Sequence, residues 1–295
     1  MPATPGNCPI IATPFTADGA VDYDSLRAEV RAIADSGCRA ATMFGIASEF
    51  YKLSDDERRR VAEVVTGTAD DVGIASVLSV THEATTVAVD HAIEYEEMGA
   101  DCVMVFPPRQ HGTTAEILDH VRRIGEAVSV PVMVQHTPRN VDVDPEQFAS
   151  LNREVPNVRY FKVELDPPGP YISELDDATG DDVSILVGNW GFDVIDAYDR
   201  GAVGVMPIAI YPELYVAIDE AHRDGDRDRA VDLHADLLAF LNEIRGVPHS
   251  KWVLEDRGVI ADDYCRPPIG DQGDDRTRAR LEAAHRRLLE TVETL

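Results

Sequence analysis

Lys162 is the residue whose type and surroundings most favour covalent chemistry. The chain has only three lysines, Lys52, Lys162 and Lys251, and Lys162 falls in the apolar stretch 158–164, which predicts a strand. Burial in such a strand disfavours the ammonium form, and the free amine is the form that condenses with a ketone to give an imine. The alternative is a structural lysine that reaches solvent or pairs with Glu164.

Three polar residues at predicted strand ends are candidates to assist this amine. Glu164 lies two residues after Lys162, and therefore on the same face of a strand, which makes it a candidate general acid or base, with a structural ion-pair partner as the alternative. Gln135 and His136 end another predicted strand, where Gln135 should face the pocket and His136 the opposite side. Glutamine can orient a hydroxyl but has no titratable proton to transfer, and a lone histidine there is more often structural.

The elements that must position these residues repeat in the order apolar run, turn and helix. Near-continuous apolar runs are typical of parallel strands buried on both faces. Eight such units favour an α/β fold of the (β/α)8 barrel type, with polar residues at the C-terminal strand ends facing the active site. No glycine-rich phosphate loop follows any run, which argues against an open nucleotide-binding sheet. The predicted strands are residues 9–14, 41–46, 73–79, 102–107, 132–136, 158–164, 184–188 and 202–207.

Helix ends are marked by capping residues and glycines. Helices are predicted over 24–36 and 83–98, each followed by glycine, and Ser54 and Glu57 form a capping box. We expect residues 1–221 to form the barrel. Residues 222–295 are expected to form a C-terminal helical extension packed on it, with helices over 227–245 and 274–294 separated by a Pro- and Gly-rich stretch.

Composition restricts the environment and the partners. The net charge is −27, from 54 acidic and 27 basic residues, and a surface of this charge repels nucleic acid and anionic membranes. The acidic residues are spread along the chain, and arginine replaces lysine, as in proteins of salt-loving archaea. No run is long enough for a transmembrane helix and no signal peptide is predicted, so we expect a cytoplasmic protein.

The sequence predicts no metal and no separate cofactor. The four cysteines are scattered without a CxxC pair, which favours buried thiols in a reducing compartment. His82, His111 and His120 do not have metal-ligand spacing with carboxylates.

Several motifs in the same order resemble the dihydrodipicolinate synthase / N-acetylneuraminate lyase family over essentially the whole chain. The resemblance implies a barrel, a Schiff base between Lys162 and a small 2-keto acid, and a homodimer or homotetramer. The matching stretches are 10–15 with its Thr-Pro-Phe, 44–50, 53–58, 105–108 and the lysine strand 161–164.

Two departures from the family pattern bear on the reaction. Where the family has a Thr-Thr pair that binds the keto-acid carboxylate, this chain has Ile46 and Ala47, and Ser48 is the nearest hydroxyl. Ser48 is therefore a candidate carboxylate ligand, with a plain loop hydroxyl as the alternative. Where the family has a proton-relaying tyrosine, this chain has Gln135, which weakens the case for aldol condensation.

Further candidates lie at the ends of the strands and in the turns that follow them, of which Gly188 is the one that the resemblance assigns. Glu49 is expected to close its loop by hydrogen bonds to backbone N–H groups, with substrate contact as the alternative. Gly188 would let backbone approach the substrate, and Asn189 would contact its distal hydroxyls. Met206 is a candidate contact from the last strand, and Trp190 is either packing or pocket wall.

The function implied is narrower than the family. Residues 48–49, 132–135, 160–164 and 250–258 resemble the 2-keto-3-deoxy-pentonate (L-arabinonate type) dehydratases, which form 2,5-dioxopentanoate. The alternatives are a retro-aldolase that releases pyruvate and an aldehyde, and a non-catalytic sensor that keeps the barrel. The stereochemistry at C4 and the length of the substrate stay open.

Overall fold

The structure is a computed structural model that describes residues 6–108, 112–136, 143–270 and 272–295. Seven parallel strands form one sheet in which neighbours along the chain are neighbours in space. The strands are β1 (Ala40–Met43), β2 (Ala75–Ser79), β3 (Cys102–Val105), β4 (Val132–His136), β5 (Val158–Val163), β6 (Ser184–Val187) and β7 (Gly204–Val205).

Residues 8–11 close the sheet into a barrel. Ile10 pairs in parallel with Thr42 of β1 on one side and with Ile208, just beyond β7, on the other. Pro9 has no N–H to donate, which helps to explain why this eighth position is bridged without a continuous ladder. The predicted (β/α)8 barrel is thereby confirmed.

Helices surround the barrel and continue beyond it. No described helix is long and apolar enough to cross a membrane. Over the described ranges the helices are α1 (Tyr23–Asp35), α2 (Asp55–Val72), α3 (Thr85–Glu97), α4 (Thr114–Ala127), α5 (Pro145–Glu154), α6 (Gly169–Thr179), α7 (Val194–Asp199), α8 (Pro212–Arg223), α9 (Arg227–Leu241), α10 (Val247–Asp256) and α11 (Asp275–Val292).

The C-terminal part differs from the prediction in one element. Helices α9 and α11 fall within the predicted ranges, but α10 was not predicted as a helix. Its buried residues run continuously from His249 to Leu254, so no amphipathic period marks it, and Pro248 lies in its first turn. Helix α9 packs on α8 and α11 packs on α9, which places the extension against the barrel. The boundary at residue 221 stays a prediction.

The barrel interior is filled with side chains rather than open. A cluster separate from the main core occupies it, because alternate strand residues point inward. On β5 this alternation sends Tyr160 inward and Phe161 outward to the helices. The interior cluster is Cys8, Ala40, Val77, Cys102, Met104, Met133, Tyr160, Leu186 and Met206.

Candidate active site

Lys162 lies on the inward face of β5, one alternation step above Tyr160, near the C-terminal end of the strand. Its side chain is buried, with 2% exposed, and its Nζ is 2.9 Å from Oε1 of Glu164. The sequence-predicted pair is therefore in contact, at the end of the barrel where enzymes of this architecture carry their chemistry.

A cavity of about 590 Å³ opens above Lys162. A larger cavity of about 940 Å³ lies at the opposite end, where β2 begins, and no lysine lines it. The first cavity is thus the candidate active site. It is lined by Gln135, Lys162, Glu164, Asp166 and Asn189 on its polar side and by Ile10, Ile46, Ala47, Phe106, Trp190, Met206, Ile208, Gly246 and Val247 elsewhere.

Glu164 is held as an anion by several partners. Burial by itself would raise the pKa of this carboxyl, but the charge and hydrogen bond of Lys162, the Gln135 amide and the Asn189 N–H together lower the pKa below its usual value. Gln135 Nε2 donates to Glu164 Oε2 at 2.6 Å, and the Asn189 N–H donates to Oε1 at 3.3 Å. The free site therefore contains a carboxylate able to accept a proton.

Gly188 makes room for this carboxylate. A Cβ at position 188 would lie 2.3 Å from Cγ and 2.4 Å from Oε1 of Glu164, so another residue would displace the side chain. Gly188 therefore leaves the space that the Glu164 side chain occupies, and the approach of its backbone to substrate stays a prediction.

The turn after Gly188 is strained and firmly held. Asn189 and Trp190 both have positive φ, at 49° and 61°, and both line the cavity. The Trp190 carbonyl accepts a hydrogen bond from Tyr215 at 2.6 Å, and the Gly191 carbonyl one from His234 at 3.0 Å. Helices α8 and α9 thus fix the turn that delivers the Asn189 N–H to Glu164.

The loop after β1 brings Ala47 to the cavity but not Ser48. The Ser48 hydroxyl is buried and donates to the Ile11 carbonyl at 2.6 Å. Ala47 and Ile46 line the cavity. Glu49 is buried and pairs with the side chains of two lysines, in place of the backbone N–H groups expected from the sequence.

Strand alternation holds at the end of β4. Gln135 lines the cavity, whereas His136 packs on the outer side with its ring centroid 4.9 Å from that of Tyr171 and 5.9 Å from that of Phe161. Gln135 is paired with Lys162 in the sheet register, which brings its amide to Glu164. Thr137 and Pro138, which follow His136, lie outside the described residues.

Sequence reasoning missed several cavity residues. Asp166 follows Glu164 by two residues, so the same alternation could have indicated it. Phe106 falls inside the predicted strand 102–107 but carries no chemical signal. Gly246 and Val247 line the cavity from the start of α10, and nothing could place them there while that helix was unrecognised.

The histidines of the described residues do not form a metal centre. His120 Nδ1 contacts the Thr85 hydroxyl at 2.9 Å, and His82 Nδ1 accepts the Ala84 N–H at 2.9 Å. Across the described ranges no group of three His, Cys, Asp or Glu side chains is placed to hold a metal ion. His111 lies outside these ranges.

A closed parallel barrel with a buried lysine–carboxylate pair at its C-terminal end defines a class of α/β-barrel enzymes. The pattern of the dihydrodipicolinate synthetase family matches residues 4–286, so the chain belongs to that family. Its members are lyases of the class I aldolase type that act through a lysine Schiff base without a metal.

Three relatives illustrate the range of this family. The chain is 29% identical over 300 residues to L-2-keto-3-deoxyarabonate dehydratase of Azospirillum brasilense, covering 96% of this chain and 94% of the relative. It is 30% identical to an uncharacterized DapA-like lyase of Halobacterium salinarum, with 94% and 92% covered. Dihydrodipicolinate synthase of Rhodopseudomonas palustris superimposes with a TM-score of 0.90 at 27% identity, over 98% of this chain and 99% of that one.

Proposed function

We propose that the protein dehydrates a 2-keto-3-deoxy-pentonate to 2,5-dioxopentanoate through a Schiff base on Lys162. The observation that carries the proposal is the Glu164 carboxylate, which contacts the Lys162 amine and accepts a hydrogen bond from Gln135. The similarity to L-2-keto-3-deoxyarabonate dehydratase supports the same substrate class.

Imine formation uses the Lys162–Glu164 contact. Glu164 accepts a proton from Lys162 across 2.9 Å, and the resulting amine attacks C2 of the keto acid. The protonated Glu164 then gives its proton to the carbinolamine hydroxyl, which leaves as water, so that a cationic imine remains and Glu164 is again a carboxylate. Ala47, at the position of a family carboxylate-binding residue, and Met206 line the cavity and are proposed to contact the substrate.

Elimination follows because the imine nitrogen accepts electrons from C3. Glu164 removes a C3 proton and gives an enamine, which expels the C4 hydroxyl as water when that oxygen is protonated. The protonated Glu164 is the proposed acid, so one carboxyl performs both transfers. Loss of a C5 proton and tautomerisation form the C5 aldehyde, and hydrolysis restores the C2 ketone and frees Lys162. The net change is loss of one water.

Polar groups beyond Glu164 suit the distal part of such a substrate. Asn189 and Asp166 line the same cavity, and both side chains can accept a hydrogen bond from a hydroxyl. We propose that they bind the C4 and C5 hydroxyls. The cytoplasmic location and a homodimer or homotetramer remain predictions that accompany this function.

Retro-aldol cleavage to pyruvate and an aldehyde is the competing reaction. It requires a base on the C4 hydroxyl, and Gln135 occupies the position of the tyrosine that relays this proton in the family. Glutamine cannot accept the proton, and its amide donates to Glu164 instead. This contact favours dehydration. A sensor without turnover would not need the proton-accepting carboxylate beside the lysine.

Borohydride trapping in concentrated salt distinguishes these reactions. The protein is incubated with 2-keto-3-deoxy-pentonate, reduced, and analysed by intact mass and peptide mapping. A dehydrated five-carbon adduct on Lys162 is expected. A three-carbon adduct would support the aldolase, and an unmodified Lys162 would refute the Schiff base. Lys162→Arg is the control, since it keeps the charge beside Glu164 but supplies no imine-forming amine.

A further inference from the structure

All three lysines of this chain lie in ion pairs with buried or half-buried glutamates. Lys162 pairs with Glu164, and the other two, Lys52 and Lys251, both pair with Glu49. The chain otherwise uses arginine as its basic residue. The lysines therefore occupy three interior positions, and only one of them, Lys162, is in the candidate active site.

Glu49 is the centre of the second group, which we call the lysine clamp and define as Glu49, Lys52 and Lys251. Lys52 Nζ is 2.5 Å from Glu49 Oε1 and Lys251 Nζ is 2.7 Å from Oε2, so each carboxylate oxygen has its own lysine. The side chains are 2% exposed for Glu49, 8% for Lys52 and 0% for Lys251. Lys251 also lies 4.3 Å from the centre of the Phe15 ring.

The clamp joins segments that are far apart in the chain. Lys52 Nζ donates to the carbonyl of Arg266 at 2.5 Å, and Lys251 Nζ donates to that of Tyr264 at 3.1 Å. Glu49 itself lies between two short 3-10 turns with a positive φ of 52°. The loop after β1, helix α10 and the segment 264–266 therefore meet at one carboxylate.

Two of these segments form part of the cavity wall. The loop before Glu49 contributes Ile46 and Ala47, and the start of α10 contributes Gly246 and Val247, one helical turn before Lys251. The contact between Glu49 and Lys251 is therefore a direct tie between two cavity-lining segments, although neither side chain lines the cavity.

Stability alone is a weak reason to keep such a group. Burying a carboxylate and two ammonium groups costs much of what their attraction returns, and apolar replacements of buried pairs are often no less stable. A fixed geometry is what the clamp supplies, because Lys52 donates to Glu49, both lysines donate to main-chain carbonyls, and the ion pair of Lys251 with Glu49 joins the two halves.

We propose that Glu49 and Lys251 are positioning residues, which hold the loop after β1 and the start of α10 at the separation that the keto acid requires. The proposal rests on the proposed keto-acid function of the cavity. Loss of the tie widens the binding site without altering Lys162 or Glu164. Substrate binding therefore weakens while the chemical step is preserved, so KM rises and kcat does not fall in proportion.

Lys251→Met is the variant that tests this role. Methionine keeps most of the buried volume, and Glu49 retains Lys52 as a partner, so no carboxylate is left without a counter-charge. We expect KM to rise roughly tenfold or more, with kcat within about twofold of the parent, because the lost contacts bind the ground state and the transition state alike. The matched control is Arg257→Met, which removes the ion pair between Arg257, the residue after α10, and Glu213 of α8, a contact that does not involve the loop after β1.

A second measurement reports on the clamp without any substrate. Cys265 lies between the two carbonyls that the lysines hold and is half-buried, and burial raises the pKa of its thiol to about 11. Release of the segment 264–266 exposes this thiol. Loss of the Lys251 charge by itself raises the pKa of this thiol and slows its reaction, so a faster reaction reports release of the segment. Labelling by a small disulfide reagent in concentrated salt is therefore expected to quicken in Lys251→Met and not in Arg257→Met.

The outcomes separate the two proposals. Faster Cys265 labelling with a raised KM and preserved kcat, absent in the control, supports the positioning role. If the parent turns over and Lys251→Met has the same KM as the parent, the positioning role is overturned. The same holds if Cys265 is labelled at the same rate in Lys251→Met and in the parent. If the parent forms no adduct with any keto acid, the proposed function fails and the substrate-positioning role fails with it, while the labelling result still decides whether the clamp holds the segment.

Discussion

Two opposing influences act on the charge of Glu164, and the balance between them sets the pH dependence of kcat/KM. Burial disfavours the carboxylate, but Lys162, Gln135 and the Asn189 N–H lower the pKa of Glu164 below its usual value. A base whose pKa is lowered keeps its active, unprotonated form down to lower pH and loses it as the pH falls through that pKa.

Gln135→Leu should therefore move the acidic limb of the pH profile upward. The variant removes the 2.6 Å hydrogen bond to Oε2, so protonation of Glu164 becomes easier and its pKa rises. The profile of kcat/KM against pH, which reports on the free enzyme, measures this shift. An acidic limb that stays at the parent position would contradict the role of Gln135. Gln135→Glu should also move the limb upward, because a second carboxylate beside Glu164 raises its pKa.

Glu164→Gln should separate removal of the C3 proton from imine formation. The amide keeps the size of the side chain but cannot remove the C3 proton, so kcat is expected to fall about 10²- to 10⁴-fold. Borohydride should still trap the undehydrated five-carbon adduct on Lys162, but more slowly than in the parent, because glutamine cannot take the proton from the Lys162 amine and water must do so. Full turnover in this variant would exclude Glu164 as the base.

The site could be predicted in part, and its residues show where the limit lies. Lys162 and Glu164 were brought together by strand periodicity alone, because two residues on one strand share a face. The partner of Ser48 depends on Ile11, which is distant in sequence, and the partners of Glu49 depend on a helix that was not recognised. The bond between Gln135 and Glu164 depends on the register of β4 against β5, which no local pattern contains.

At the scale of elements, the turn after β6 links the outer helices to the Glu164 carboxylate. Its residues Asn189 and Trp190 adopt positive φ values that are costly for side-chain-bearing residues. Such a turn persists because α8 and α9 bond its carbonyls. The barrel was predictable from repeated apolar runs, whereas α10 was not, since a helix buried on most sides has no polar face to reveal its period.

Gly188→Ala should lower kcat and have little effect on the stability of the rest of the barrel. The new Cβ would meet Glu164 Cγ at 2.3 Å, so the carboxylate must leave its place beside Lys162, and kcat should fall at least tenfold. Steady-state kinetics measure this loss. Gly67→Ala in α2 is the control, because nothing lies within 4 Å of its added Cβ, and its kcat should equal that of the parent. Equal kcat in both variants would contradict the packing role of Gly188.

For the whole molecule, charge is the dominant property. With 54 acidic and 27 basic residues, half of the carboxylates would have no lysine or arginine partner even if each basic residue paired with a different carboxylate. Exposed pairs such as Arg153 with Glu146 contribute little to stability. Composition alone predicted this property, since it depends on residue counts and hardly on the fold.

The thermal midpoint should therefore rise steeply with potassium chloride. Self-repulsion among carboxylates acts over a Debye length of about 10 Å at 0.1 M salt and about 3 Å at 1 M, so most of the stabilisation is expected below about 1 M. Differential scanning calorimetry at fixed pH measures the midpoint over this range. Sucrose is the control, because it favours the compact state without screening charge. A rise that begins only above 1 M, or an equal rise in sucrose, would assign the stabilisation to solvent exclusion instead of screening.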